Sequence, residues 1–111
     1  MIVAIGDVYA RIPERERVAA LMRALQERAR EQPGCSYFVF AETLDDPGHF
    51  VLVEQWRDQA ALDAHYGSQA FGDYQERVEG LLVRASELRL FATDAGLSTV
   101  PPGAIEPQQD G

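Results

Sequence analysis

Apolar residues of this chain fall into two alternating regimes, pairs of parities in some stretches and three- and four-residue spacing in others. In residues 2–11, Val3, Ile5 and Tyr9 alternate with Ile2, Ala4 and Val8, so both faces of an extended segment carry apolar groups. That pattern predicts a strand covered on two sides. Pro13 then suits a first helical turn, with Glu14 and Glu16 at the positive end of the helix dipole. Val18, Leu21, Met22, Leu25 and Ala29 form one helical stripe through about residue 31, and Pro33-Gly34 stops it. Arg15, Glu16, Arg23, Glu27 and Arg30 make the opposite, solvated face.

Residues 35–44 read as a second strand, with Phe38 and Phe40 on one face and Tyr37 and Val39 on the other. Asp45-Asp46-Pro47-Gly48 is a turn, and residues 49–57 are a third strand with Phe50, Leu52 and Trp56 set against Val51 and Val53. Asp58 is placed to cap a helix over 59–66. Gly67-Ser68 interrupts it, a further helix over 69–81 carries Phe71, Tyr74 and Val78, and residues 83–93 form the last strand. The order β-α-β-β-α-β predicts an α+β, ferredoxin-like domain over residues 1–94. Residues 95–111, rich in Gly, Pro and Gln, are expected to be a tail that is flexible or packs on a partner.

The two-sided strands bear on assembly. Both helical connections would cover the same face of the sheet. The other apolar face would then exceed the ~300–600 Å² patch usual for a monomer. A second copy is the economical cover, which predicts a homodimer joined sheet to sheet, a dimeric α+β barrel.

Composition narrows the function. At 111 residues and 46% apolar there is sequence for one core. A net charge of -8 argues against nucleic acid and anionic membrane as partners. No apolar run approaches the roughly 20 residues of a membrane span, and the N-terminus lacks a basic-then-apolar leader. A single cysteine, Cys35, fits a reducing cytoplasm and reads as a buried, inert thiol. All ten basic residues are Arg, with no Lys and no Asn, a bias expected of a GC-rich bacterial genome. Without Lys, Schiff-base chemistry is excluded. His49 and His65 stand far apart without metal-site spacing, and no Gly-rich phosphate loop follows a strand, so neither metal nor flavin nor nucleotide is expected.

Chemically usable side chains concentrate in residues 53–74, where Trp56, His65 and Tyr66 follow closely. The segment with Pro33-Gly34-Cys35, the acidic turn 45–48 and Glu54-x-Trp56, followed by Leu62, His65, Ser68 and Phe71, resembles the antibiotic-biosynthesis-monooxygenase family. The resemblance runs from the first strand to about Thr93. It implies oxygenation of a quinol, anthrone or polyketide-derived aromatic by O2 without metal or flavin. It also implies a small aromatic substrate, an apolar cavity, a general base and donors to substrate oxygen.

His65 is the best base, since its ordinary pKa lies near neutrality. Trp56 and Phe71 are expected to wall the pocket, with Tyr37, Tyr66 or Tyr74 donating to substrate oxygen. Arg89 and Asp7 are placed on strands that could face the same cavity, depending on register. Each has a structural alternative: His65 as a lock through a backbone group or Glu54, Trp56 as core, Glu54 as partner of an Arg or of His65, and Tyr66 and Tyr74 as rim residues. His49 is expected to be exposed. Haem-degrading relatives of this fold carry an Asn, a Trp and a haem-ligating His roughly where Asp7, His65 and Gln75 stand here, so haem degradation is not expected. Two alternatives to oxygenation remain: an isomerase of small phosphorylated or keto sugars, favoured by several cavity Arg, and a non-enzymatic dimer that binds a hydrophobic ligand.

Overall fold

The computed structural model describes residues 1–93, and the tail expected over 95–111 lies outside the described residues. The chain runs β1 (Ile2–Tyr9), a 3-10 turn (Ile12–Glu14), α1 (Arg15–Arg30), β2 (Cys35–Glu42), β3 (His49–Trp56), α2 (Gln59–Tyr66), α3 (Gln69–Val78), a second 3-10 turn (Glu79–Leu81) and β4 (Glu87–Ala92). The strands form one antiparallel sheet in the order β2-β3-β1-β4. This is the ferredoxin-like arrangement that the alternating patterns predict.

Register decides which side chains share a face. Ile5 pairs with Val53 and with Arg89, and Val39 also pairs with Val53, so odd-numbered positions of all four strands point away from the helices. Even-numbered positions face them: Ala4, Val8, Phe38, Phe50 and Trp56 are buried there with Val18, Met22, Leu25 and Ala29 of α1 and Leu62 of α2. They form two touching clusters, one around Trp56, Phe38 and Leu62 and one around Val8, Met22, Phe50 and Val78, bridged by Phe40 and Tyr74.

Two glycines hold turns that other residues resist. Gly34 has φ +84 and Gly48 has φ +85, the left-handed region where a Cβ clashes with its own backbone. At Gly34 a Cβ would also lie 2.6 Å from Cβ of Ala61. The loop after α1 therefore passes flush against the first turn of α2. That turn is capped as expected: Asp58 accepts from the backbone N–H of Ala61 at 2.9 Å, which holds its carboxyl below the usual range.

The expected final strand is shorter than its sequence pattern. Leu82 makes an isolated bridge to Ala10, the Val83 N–H still donates to the Tyr9 carbonyl, residues 84–86 are irregular, and regular pairing begins at Glu87. The first strand likewise ends at Tyr9, because the backbone N–H groups of Ala10 and Arg11 turn to the carbonyls of Gly48 and Leu81.

Candidate active site

The two parities of the sheet separate the predicted site residues. On the helix-facing side, a cavity of about 970 Å³ lies between β1, β3, β4, α2 and α3. Its inner wall includes Glu54, His65, Tyr66, Phe71 and Tyr74. These four of the expected residues, His65, Tyr66, Phe71 and Tyr74, come together because α2 and α3 meet at Gly67-Ser68. There the Ser68 hydroxyl accepts from the N–H of Phe71 and donates to the carbonyl of His65. The rings pack in series, His65 to Tyr66 at 5.5 Å, Tyr66 to Phe71 at 5.1 Å and Phe71 to Tyr74 at 6.4 Å between centroids.

Four expected residues stand elsewhere. Trp56 is wholly buried behind the cavity wall, beneath α2, stacked on His65 at 4.8 Å. Tyr37, 46% exposed, projects from β2 on the outer sheet face. Arg89 and Asp7 have the same odd parity and bond each other there, Arg89 Nη2 donating to Asp7 Oδ2 at 3.3 Å. The pattern of alternation cannot say which parity faces the helices at β4 until pairing is fixed, and the irregular residues before Glu87 hid it.

His65 is 1% exposed. Its ring Nδ1 donates to Oε1 of Gln32 at 2.7 Å, an amide oxygen that can only accept, so the neutral tautomer carries its lone pair on Nε2. Burial lowers its pKa to about 4, so the ring is an uncharged base at neutral pH. Its partner is neither the backbone nor Glu54. Gln32 has no local mark in the sequence, because it lies in the loop just after α1, 33 residues away from His65.

Glu54 is also 1% exposed. Its Oε1 accepts the indole N–H of Trp56 at 2.6 Å, and no Arg pairs with it among the described residues. Burial pushes its carboxyl above the ordinary carboxylate range, the indole bond opposing. The Tyr66 hydroxyl is pushed up by burial and by Glu54, and its oxygen is buried without a hydrogen-bond partner among the described residues. Tyr74 is raised by burial alone. The Cys35 thiol is raised chiefly by burial, in keeping with an unreactive group.

The mouth of the cavity is acidic. Glu76, Glu79 and Glu87 are exposed around it, and Arg84 is the cationic lining residue. Arg84 is itself engaged, its guanidinium 3.7 Å above the Tyr9 ring. Tyr9 in turn stacks on His49 at 4.5 Å, whose Nε2 lies 2.7 Å from Asp7 Oδ1. His49 is thus half-buried in a cluster on the outer face rather than exposed, because the turn before it returns the chain directly alongside β1. Among the described residues no three His, Cys, Asp or Glu side chains converge as a metal site, and no helix is long and apolar enough to cross a membrane.

A four-stranded ferredoxin-like sheet with an aromatic cavity under its second helical connection defines the class of protein. The profile of the family described as antibiotic biosynthesis monooxygenase matches residues 1–77, and the chain belongs to that family. It is 31% identical over 91 residues to Rv0793 of Mycobacterium tuberculosis, a protein whose given name proposes a monooxygenase, covering 82% of this chain and 89% of that one. The solved structure of Rv0793 superposes with a TM-score of 0.81 over 87% of this chain and 98% of the other. A structure of PA3566 from Pseudomonas aeruginosa, 26% identical, gives 0.78 over 85% and 94%. The uncharacterized protein sll1783 of Synechocystis is 30% identical over 90 residues, 81% of this chain. The match spans 61% of that relative's length.

Proposed function

We propose that this chain is a cofactor-independent monooxygenase that oxidises an uncharged quinol- or anthrone-like aromatic with O2. Family membership and the name given to the Mycobacterium relative support oxygenation. The observation that carries the reading to this site is the uncharged His65 in the wall of an aromatic cavity, oriented by Gln32 and stacked on Trp56.

For an anthrone the steps are as follows. The enol gives its O–H proton to His65 Nε2, leaving an enolate beside an imidazolium. The buried site makes that charge pair attractive, which offsets the cost that keeps free His65 neutral. The enolate passes one electron to O2, and the radical pair recombines to form a C–O bond. The resulting peroxide takes the proton back from His65. The C–H bond then breaks as the O–O bond cleaves, releasing one water and leaving a second carbonyl. Phe71 and Tyr74 flank the rings, while Tyr66 donates to substrate oxygen.

The outer sheet face supports the dimer. Val3, Ile5, Val39, Val51 and Val53 share it with Phe91, which is 53% exposed. A second sheet laid on this face would cover them, and the single cysteine suits such an assembly in the cytoplasm. A sugar-phosphate isomerase has less support, because the lining holds one Arg, already over Tyr9, among three acidic residues at the mouth. A hydrophobic-ligand-binding dimer would use the same cavity and differ in forming no product.

The test is oxygen uptake by purified protein on a panel of quinols and anthrones, beside His65→Ala. Uptake that yields quinone and is lost in the variant is expected. Uptake unchanged in His65→Ala removes the base assignment, and no uptake across the panel returns the cavity to the binding reading.

A further inference from the structure

Two polar groups in the cavity wall have no role in proton abstraction and incomplete hydrogen bonding. The Tyr66 hydroxyl oxygen is buried with no partner among the described residues. Glu54 is buried on the helix-facing side of β3, where its cross-strand neighbours are Ala4 and Phe38, both apolar. It takes one hydrogen bond, at Oε1, from Trp56. We infer that Tyr66 and Glu54 together form a two-donor cradle for a carbonyl or phenolic oxygen of the ligand, with Glu54 acting as a protonated acid.

The electrostatics agree with the geometry. The titratable groups around Glu54 are Cys35 on β2, His65 and Tyr66 on α2 and Tyr74 on α3. None of them is a cation in the resting site. The Arg30 guanidinium is engaged elsewhere, its Nε donating to the Phe38 carbonyl at 2.9 Å. With Oε1 accepting the indole N–H, a proton on Oε2 makes the acid a donor, the state that burial favours. Glu54 and Tyr66 line one cavity and are linked through its wall, Glu54 bonded to Trp56, Trp56 stacked on His65 and His65 packed against Tyr66. Two neutral donors in an apolar wall suit a neutral oxygen that can accept twice. A carboxylate or phosphate would first meet the acidic mouth formed by Glu76, Glu79 and Glu87. A buried carboxylic acid kept neutral so that it can donate is a known device for holding an oxyanion, so the cradle would also strengthen as negative charge develops on that oxygen.

The inference rests on the aromatic-cavity reading, and a ligand pair separates the two. Fluorene and 9-fluorenone share their rings and differ by one carbonyl. Their binding is measured by isothermal titration calorimetry, with the fluorenone C=O stretch followed by infrared difference spectroscopy. Wild type is expected to bind fluorenone about tenfold tighter than fluorene and to lower the stretch. Glu54→Gln, whose amide keeps both an acceptor for Trp56 and a donor, is expected to retain the preference. Glu54→Leu and Tyr66→Phe are expected to reduce it, and Tyr66→Phe keeps the ring, so it serves even where Glu54→Leu does not fold.

Equal affinity of wild type for the two compounds overturns the cradle and leaves the aromatic cavity standing. A preference unchanged in Tyr66→Phe and Glu54→Leu also overturns it. Loss of preference in Glu54→Gln overturns the protonated acid. Failure of both compounds to bind overturns the cavity reading and the cradle with it.

Discussion

Trp56 donates its indole N–H to Glu54 at 2.6 Å, from two residues further along the same helix-facing side of β3. The bond gives two buried groups a partner at once, one of them an acid with no salt-bridge partner among the described residues. Trp56→Phe removes the donor and leaves the carboxyl without its partner. We expect a loss of about 2–4 kcal/mol in unfolding free energy, measured by urea denaturation. Glu54→Gln, which keeps the acceptor, should lose less than half as much.

His65 gives a signed pH dependence. Its folded pKa, about 4, lies below the ordinary value of 6.5. Between those values the unfolded chain takes up a proton that the folded chain refuses, so stability falls as pH drops from 6.5 toward 4. The full shift corresponds to roughly 3 kcal/mol. Glu54 runs the other way: its raised pKa gives stability that is present at low pH and lost as pH rises through the folded value. The difference in unfolding free energy between wild type and His65→Gln, followed from pH 7 to 4, isolates the histidine. A difference that stays flat across that window would contradict its burial as a neutral ring.

The acidic mouth predicts discrimination by charge. At low ionic strength, fluorenone-4-carboxylate should bind at least about tenfold more weakly than fluorenone. Salt should narrow the gap through screening, and so should neutralising Glu76, Glu79 and Glu87 together with glutamine. Equal binding of the acid and the ketone would show that Arg84 leaves Tyr9 to meet the anion.

Gly34 is strained for any side chain, by its φ of +84 and by the nearness of Ala61. Gly34→Ala is expected to cost about 2–3 kcal/mol and to lower the thermal midpoint. Gly34→Ala combined with Ala61→Gly should recover the part due to the clash and leave the backbone part.

The outer sheet face predicts its own test. Val53 pairs with both Ile5 and Val39 at the middle of that face. Val53→Asp should turn a dimer into a monomer by sedimentation, with far-ultraviolet circular dichroism retained. A wild type that sediments as a monomer would remove the sheet-to-sheet assembly.

The fold was legible because its strands and helices differ in period. Residues 59–66 came out at their true bounds, since Asp58 is a capping residue followed at once by helix formers. Glu54 carried a signal of its own, an acid in step with Phe50, Leu52 and Trp56 on the buried parity of β3. The sequence points to an Arg or His65 as its partner, and the partner is instead the indole of Trp56. What could not be read was what pairing supplies. Arg89 differs from Leu88 by one step, and that step places it on the opposite side of the sheet from the cavity. His49 follows a turn glycine, an exposed setting in sequence, yet Tyr9 and Asp7 are beside it once β1 and β3 align. The Gln32 contact with His65 joins the loop after α1 to α2, a spacing no local pattern records.

The chain contains one tryptophan, and that residue is Trp56. Its indole is sealed from water, stacked on the candidate base and bonded to the buried acid. Excited beyond the tyrosine absorption band, the protein therefore emits from one place, in contact with both His65 and Glu54. Protonation of His65 or ionisation of Glu54 changes the field across that ring, and both events can be followed as a shift in emission without a label, a substrate or turnover.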